Sequence, residues 1–318
     1  MILAEESEEA RRGISLARHP LKTVNLNSRR RKLRSYLYAS AVALLASGTV
    51  MAAPGENALD FLNLPVSANS AALGQGNFAG IVGPEAIFFN PSLLGQELAM
   101  FASHHELLID TRSEILAVSV KLDDRWTLGA GFLLFDPGNI EGYSINNSKI
   151  GNIEAGSRMA RLGVSSSGKI SYGLSVSYYQ ERLDDRTGNG LGLGAGLSSE
   201  TDYGRFAMTV DNLGPEFAIG DRSAPLPRRI TFSGWLPLNS GLWEFSFDMS
   251  HRFGVGFLGA VGLQYNLSEG LALRAGANNN EPLAAGLRIA AGKVAFDYSF
   301  IPQKSFGDKH LFSILLVN

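Results

Sequence analysis

Much of this chain alternates with period two. Ile170, Tyr172, Leu174, Val176 and Tyr178 alternate with Ser171, Gly173, Ser175, Ser177 and Tyr179. Leu191, Leu193, Ala195 and Leu197 alternate with glycines. Trp243, Phe245, Phe247 and Met249 alternate with Glu244, Ser246, Asp248 and Ser250, and Val294, Phe296, Tyr298 and Phe300 with Ala295, Asp297 and Ser299. Successive side chains of a strand point to opposite faces, so each stretch has one apolar face and one small or polar face. A soluble β-sandwich turns its apolar faces inward and covers the outside with charge. Here only 18% of residues are charged and 36 are glycine, against about 25% charged in an ordinary soluble protein. Strands that pack closely and turn an apolar face to lipid have this composition, and the pattern predicts an all-β transmembrane barrel.

The alternation predicts about fourteen antiparallel strands, at 97–107, 112–122, 125–135, 157–166, 169–181, 189–199, 204–212, 227–238, 242–252, 256–267, 271–278, 282–290, 292–301 and 308–317. Most approach the nine to eleven residues that a tilted strand needs to cross a bilayer. Tight connections recur at Asp123-Asp124, Ser167-Gly168, Leu238-Asn239-Ser240-Gly241, Ser268-Glu269-Gly270 and Ala291. The longest lie between them, at 136–156, 182–188 and 213–226. Outer-membrane barrels have short periplasmic turns and longer outer loops. A first strand running outward therefore leaves both ends of the barrel in the periplasm. Trp126, Tyr172, Tyr178, Trp235, Trp243, Tyr265 and Tyr298 fall near strand ends, where aromatic girdles belong, although ordinary strand composition also supplies aromatics. The last residue, Asn318, is not aromatic.

Residues 1–52 read as an export signal. Arg29-Arg30-Arg31-Lys32-Leu33-Arg34 is a basic stretch, Tyr36 to Val50 is apolar, and Val50-Met51-Ala52 places cleavage after Ala52. The alternative is a membrane anchor, for which the apolar run is short and is followed by Pro54. Ser28-Arg29-Arg30 permits a twin-arginine reading, but a barrel must cross the inner membrane unfolded. No other segment is long and apolar enough for a transmembrane helix. The absence of cysteine excludes disulfides, thiolate metal sites and cysteine nucleophiles. Beyond Ala52 the chain holds 19 basic and 26 acidic residues, a net charge of −7, so no nucleic-acid partner is expected.

Between signal and barrel, residues 53–96 are rich in small residues and lack strand alternation. Asn69 or Ser70 can cap a short helical turn, and Pro91 suits the start of another, ended by Gly95. Phe61, Leu62, Phe88 and Phe89 need burial, which favours a plug inside a barrel over a periplasmic tail. The expected organisation is a signal at 1–52, a plug at 53–96 and a barrel at 97–318.

Three stretches of this segment resemble the PorV/PorQ family and its wider FadL-like barrel superfamily. They are Phe61-Leu62-Asn63-Leu64-Pro65-Val66-Ser67-Ala68, Ser70-Ala71-Ala72-Leu73-Gly74, and Ala86-Ile87-Phe88-Phe89-Asn90-Pro91-Ser92-Leu93. Val210-Asp211-Asn212-Leu213-Gly214-Pro215, followed by Pro225-Leu226-Pro227, is similar to a second motif of the family. The resemblance covers 58–318. It implies a fourteen-stranded outer-membrane barrel with an N-terminal segment in its lumen, and it marks Phe61, Leu62, Pro65, Gly74, Phe88, Phe89, Asn90 and Pro91, with Asn212 and Gly214, as motif residues. PorV-like members serve type IX secretion, and FadL-like members pass hydrophobic molecules. This chain is shorter in its outer loops than either.

No enzymatic chemistry is expected. His104 and His105 are neighbours on a strand and point to opposite faces, so they do not share a metal easily. The glycines from Gly188 to Gly196 lack the strand–turn–helix context of a phosphate loop and read as a narrow inner face for a plug. No Gly-x-Ser-x-Gly elbow is present, and no cofactor is expected. Glu244, Asp248, Arg274, Arg288 and Asp297 fall on polar strand faces. There they either pair to hold the lumen together or line a polar path. The expected partners are outer-membrane lipid, with exported proteins or secretion components in a docking role. Alternatively, hydrophobic small molecules pass through a conduit, or the barrel is structural and carries no cargo.

Overall fold

The computed structural model describes residues 57–95, 97–107, 109–281, 283–303 and 307–318. The expected export signal and its cleavage after Ala52 lie outside the described residues. Fourteen antiparallel strands form a closed ring: β1 (Ala99–Glu106), β2 (Arg112–Lys121), β3 (Trp126–Asp136), β6 (Ala155–Ser166), β7 (Ile170–Leu183), β8 (Arg186–Thr201), β9 (Gly204–Leu213), β12 (Arg229–Leu238), β13 (Trp243–Arg252), β14 (Gly256–Ser268), β15 (Leu271–Asn278), β16 (Ala284–Ala291), β17 (Val294–Ile301) and β18 (Lys309–Val317). The ring closes where β18 pairs with β1, from Ala99↔Val317 to Glu106↔His310. Closure leaves the ring no unpaired edge. Two hairpins lie outside the ring order, β4 (Ile140–Tyr143) with β5 (Lys149–Ile153), and β10 (Phe217–Ile219) with β11 (Arg222–Ala224).

Each expected strand is present, and the tight connections expected from the sequence all fall at one end of the barrel. There the chain turns through 122–125, 167–169, 202–203, 239–242, 269–270 and 292–293, beside the first and last residues of the ring. The opposite, loop end carries 137–154 and 214–228. The expected loop at 182–188 is instead strand. β7 and β8 pair up to Leu183↔Arg186, leaving only Asp184 and Asp185 to turn, with Asp184 in the left-handed region at φ 56°. The charged run from Glu181 to Arg186 reads as loop because charge is rare in a membrane strand. A hairpin that projects beyond the apolar band carries such residues without cost.

The two faces of the wall follow the alternation. Outward side chains include Leu116, Leu162, Leu174 and Leu193, each more than half exposed, while Ser119, Thr127, Ser177 and Ser313 on the inward face are buried. An apolar surface that large and continuous around the ring is stable only against hydrocarbon. Leu162→Arg, at the middle of this band, is therefore expected to cost about 2–4 kcal/mol in a bilayer. Urea unfolding from lipid vesicles reads the loss, and a change near zero would place that face in water. Trp126 and Tyr172 meet edge-on at 6.2 Å, and Trp243 and Tyr265 at 4.4 Å, all four outward near the turn end. Trp235 departs from the expected girdle. It shares the inward face of β12 with Thr231 and Ser233, and its indole N–H donates to Glu244 at 2.9 Å.

Residues 57–95 hold short helical pieces: 3₁₀ turns at Asp60–Asn63, Pro84–Phe88 and Pro91–Leu93, and one α-helix, α1 (Ala68–Ala72). Ser67, not Asn69 or Ser70, caps α1, accepting from the Ser70 N–H at 3.1 Å. Ser67 is the last extended residue after Pro65-Val66, so its hydroxyl is the one placed to reach the orphan amide. The turn at Pro91 starts as expected. Asn90 caps it, accepting from the Ser92 N–H at 3.0 Å. The apolar side chains of this segment bury one another and the inward face of the wall. Phe61, Val66, Phe78, Ile87, Phe88 and Phe89 form one cluster with Phe101, Ile115, Leu133 and Met159.

Candidate functional site

The candidate site is the junction between residues 57–95 and the inward face of the wall. The Asn-Pro turn lies directly on β7 and β8. A Cβ added to Gly173 would stand 2.4 Å from the Pro91 carbonyl carbon, and one added to Gly196 would stand 1.9 Å from Asn90 Oδ1. Asn90 donates to the Leu197 carbonyl at 3.4 Å, and Ser92 Oγ donates to Ser198 Oγ at 2.9 Å. The alternating glycines of β8 thus divide their work. Gly196 receives the Asn-Pro turn, while Gly188 and Gly190 lie under Phe217 of the β10–β11 hairpin. Gly196→Val is expected to lift the Asn-Pro turn off the wall at a cost of about 1–3 kcal/mol. Limited proteolysis within 57–95 should accelerate while the barrel stays intact.

A second anchor forms at Asp248 on β13. Its carboxylate accepts from the Asn77 N–H at 2.5 Å, the Phe78 N–H at 3.1 Å and the Ser233 hydroxyl at 2.5 Å. The turn between Gly74 and Asn77 approaches the wall closely. Gly74, at φ 77°, has the backbone of Ala277 where a Cβ would be, and the Asn278 amide donates to the Gly74 carbonyl at 2.9 Å. Gln75 donates to Glu281 at 2.5 Å, and Glu281 is also paired with Lys309.

The most extensive network surrounds Arg161 on β6. Its guanidinium binds Asp211 through two nitrogens, at 3.0 and 3.1 Å, and donates to Ser177 at 2.6 Å and to the Ile87 carbonyl at 3.3 Å. Arg229 stands 3.6 Å from the same carboxylate and lies over the Phe78 ring. Asn212 follows Asp211 in sequence and also faces inward. It accepts from the Tyr179 hydroxyl at 2.8 Å and donates to the Pro227 carbonyl at 3.0 Å. Two consecutive strand residues share a face only at a bulge. Asn212 has φ 58°, and the β8–β9 ladder shifts register between Leu193 and Ala195. Gly214 then passes close over the Leu191 carbonyl. Above this point β8 leaves β9 and pairs instead with the hairpin, Asn189↔Ala218.

Of the inward charges expected to matter, Arg274, Asp297 and Arg288 come together. Asp297 pairs with Arg274 and, at 3.3 Å, with Arg288. Glu85, in the 3₁₀ turn of the segment, is buried near this group; burial first, and the charge of Asp297 second, push its carboxyl up to about 7. Glu244 stands apart near the turn end, bonded to Trp235 and to Asn266. Sequence reasoning missed Arg161, Tyr179, Arg229 and Glu281. The one available signal was Asp211, which lies inside the Val210–Pro215 motif.

A cavity of about 30 Å³ lies among Phe61, Val66, Phe78, Phe89, Met159, Arg161 and Asp211. A benzene-sized guest needs about 150 Å³, so this space suits a water or two.

No protein-family model and no curated protein matches the sequence. Among solved structures the chain superposes on the toluene transporter TodX of Pseudomonas putida, with TM-score 0.55 and 14% identity over 79% of this chain and 96% of that chain. It superposes as well on a FadL homologue of Pseudomonas aeruginosa, with TM-score 0.54 and 11% identity over 79% of this chain and 98% of that chain. At these identities the likeness lies in the fold alone, a closed antiparallel barrel of fourteen strands.

Proposed function

We propose that the protein is a non-enzymatic outer-membrane conduit for hydrophobic small molecules, held closed by residues 57–95 acting as a plug. The observation that carries this reading is an apolar segment laid on the inward face of a FadL-type barrel and fixed there by a few polar anchors. Such a joint can separate at the anchors without unzipping the wall. The small cavity beside Phe61, Phe78 and Phe89 is where an apolar guest would begin to part segment from wall. The short-turn end then faces the periplasm, and the loop end faces outward.

The test is uptake in intact cells that lack their own hydrophobic-compound channels, so that the outer leaflet is the barrier. Expression is expected to accelerate entry of a monoaromatic hydrocarbon or a fluorescent fatty acid severalfold. Entry no faster than in control cells overturns the conduit reading.

A second reading is a PorV/PorQ-type docking component for protein export to the surface. The small size of the cavity at the junction favours it, as does the hairpin β4–β5, which holds Tyr143 and Ile145 out in solvent. Exported proteins crosslinked to residues 140–153, without an uptake effect, would select it.

A further inference from the structure

Outward-facing side chains of a barrel meet lipid along most of their height, so a polar crevice on that face has a restricted set of partners. One such crevice, of about 560 Å³, lies at the loop end between β6, β7 and the base of the β4–β5 hairpin. Arg158, Arg182, Gln180, Glu154, Asn139 and Asn152 line it. Arg158 and Arg182 both face outward, in register with Gln180 and Gly156 across the β6–β7 ladder. Arg182 is bridged to Glu154 at 2.6 Å, with both side chains more than half exposed. Arg158 donates to the neutral Gln180 amide at 2.6 Å and is in none of the ion pairs among the described residues. The crevice therefore keeps one unbalanced positive charge, and Asn139 and Asn152 add side-chain amides to its lining.

Its height fixes what reaches it. Trp126 and Tyr172 mark the aromatic level at the turn end and flank Ser166 on β6. Arg158 lies eight residues further along that strand. At about 3.3 Å per residue and a tilt of about 40°, the rise is about 20 Å, close to the height of the apolar band. Directly below Arg158, the outward faces of β3, β6 and β7 present Phe132, Ala160 and Tyr178, then Ala130, Leu162 and Val176. A positive crevice thus stands on top of a column of apolar side chains.

The geometry points to a binding site for a phosphate-bearing lipid headgroup of the outer leaflet, with Arg158 and Arg182 on the phosphate and the acyl chains along Phe132, Leu162 and Val176. The inference rests on the membrane placement of the barrel and is independent of what the barrel conducts. It is tested by native mass spectrometry of the mature protein in mild detergent, titrated with bisphosphorylated lipid A and with the dephosphorylated form. The phosphorylated lipid should bind about tenfold more tightly than the dephosphorylated one, and R158Q/R182Q should remove most of that difference. R125Q, at the opposite end, should leave it unchanged. Retained heat-modifiable migration on gels certifies that the variants are folded. Equal binding of the two lipids, or equal binding by the wild type and R158Q/R182Q, overturns the site. Displacement by millimolar inorganic phosphate assigns the crevice to a free anion and overturns the lipid assignment. Uptake of hydrophobic probes is unaffected in either case, so this test and the conduit test fail separately.

Discussion

Deleting residues 57–94 is expected to turn a barrel that passes almost no ions into one with large, discrete conductance steps in planar bilayers. The segment and the wall leave about 30 Å³ between them where Phe61, Phe78 and Phe89 face Arg161 and Asp211. Barrels of about eight strands fill their interior with wall side chains, whereas those of sixteen to eighteen hold an aqueous channel. Fourteen strands whose inward face is in large part Gly, Ala, Ser and Thr cannot fill the lumen unaided. On the plug proposal, residues 57–94 supply the missing volume, with Phe61, Ile87, Phe88, Phe89 and Leu94 buried against the wall. A milder companion is D248A, which removes the acceptor of the Asn77 and Phe78 amides and should give brief openings rather than a steady pore. If the deletion folds and conducts no more than the full chain, the loop-end segments close the barrel and the plug reading falls.

Asp211→Ala is expected to destabilise the barrel by about 3–5 kcal/mol, more than either Leu162→Arg or Gly196→Val. Two guanidiniums, from Arg161 and Arg229, converge on this carboxylate, and all three side chains are buried or nearly so. Removing the acid leaves two buried positive charges without their carboxylate, which costs far more than the pair itself contributes. Asp211→Asn keeps the volume and one acceptor, so its loss should be smaller. The double variant R161M/D211A should recover part of the loss, because one of the two stranded charges goes with its partner. Urea unfolding from lipid vesicles measures all three. A loss below about 1 kcal/mol for Asp211→Ala would mean that water reaches Arg161 and that the network is not a clamp.

The strands were legible in the sequence because their signal is local: each needs only its own alternation against lipid. The tight turns were legible for the same reason. The projecting hairpin around Asp184 was not, since its charges describe an aqueous strand as well as a loop. Trp235 illustrates the limit at the faces. Proximity to a strand end is readable, but the register of β12 puts this indole inside with Glu244. The inward placement of Asp248, Arg274 and Asp297 follows from period two. Which of them meet depends on strands brought together only by the closed ring. Asn212 was marked by a motif, yet its bulge, which turns both Asp211 and Asn212 inward, arises from the mismatch between β8 and β9. Arg161 gave no signal, because a single arginine on a strand reads equally as an interfacial residue.

The pairing of β18 with β1 bears on how the molecule forms. α1 is among the earliest described pieces of the chain to leave the ribosome, yet it rests on β16, β17 and β18, the last to do so. The Ala68 N–H donates to the Ser313 hydroxyl at 2.9 Å, a contact spanning 245 residues. Contacts this distant in sequence are slow to form, because a long loop must be closed before they contribute anything. The last strand must therefore arrive at the first one and at the waiting helix together. Sealing the cylinder and seating its contents become a single, late step of biogenesis, and a chain truncated before β18 loses both.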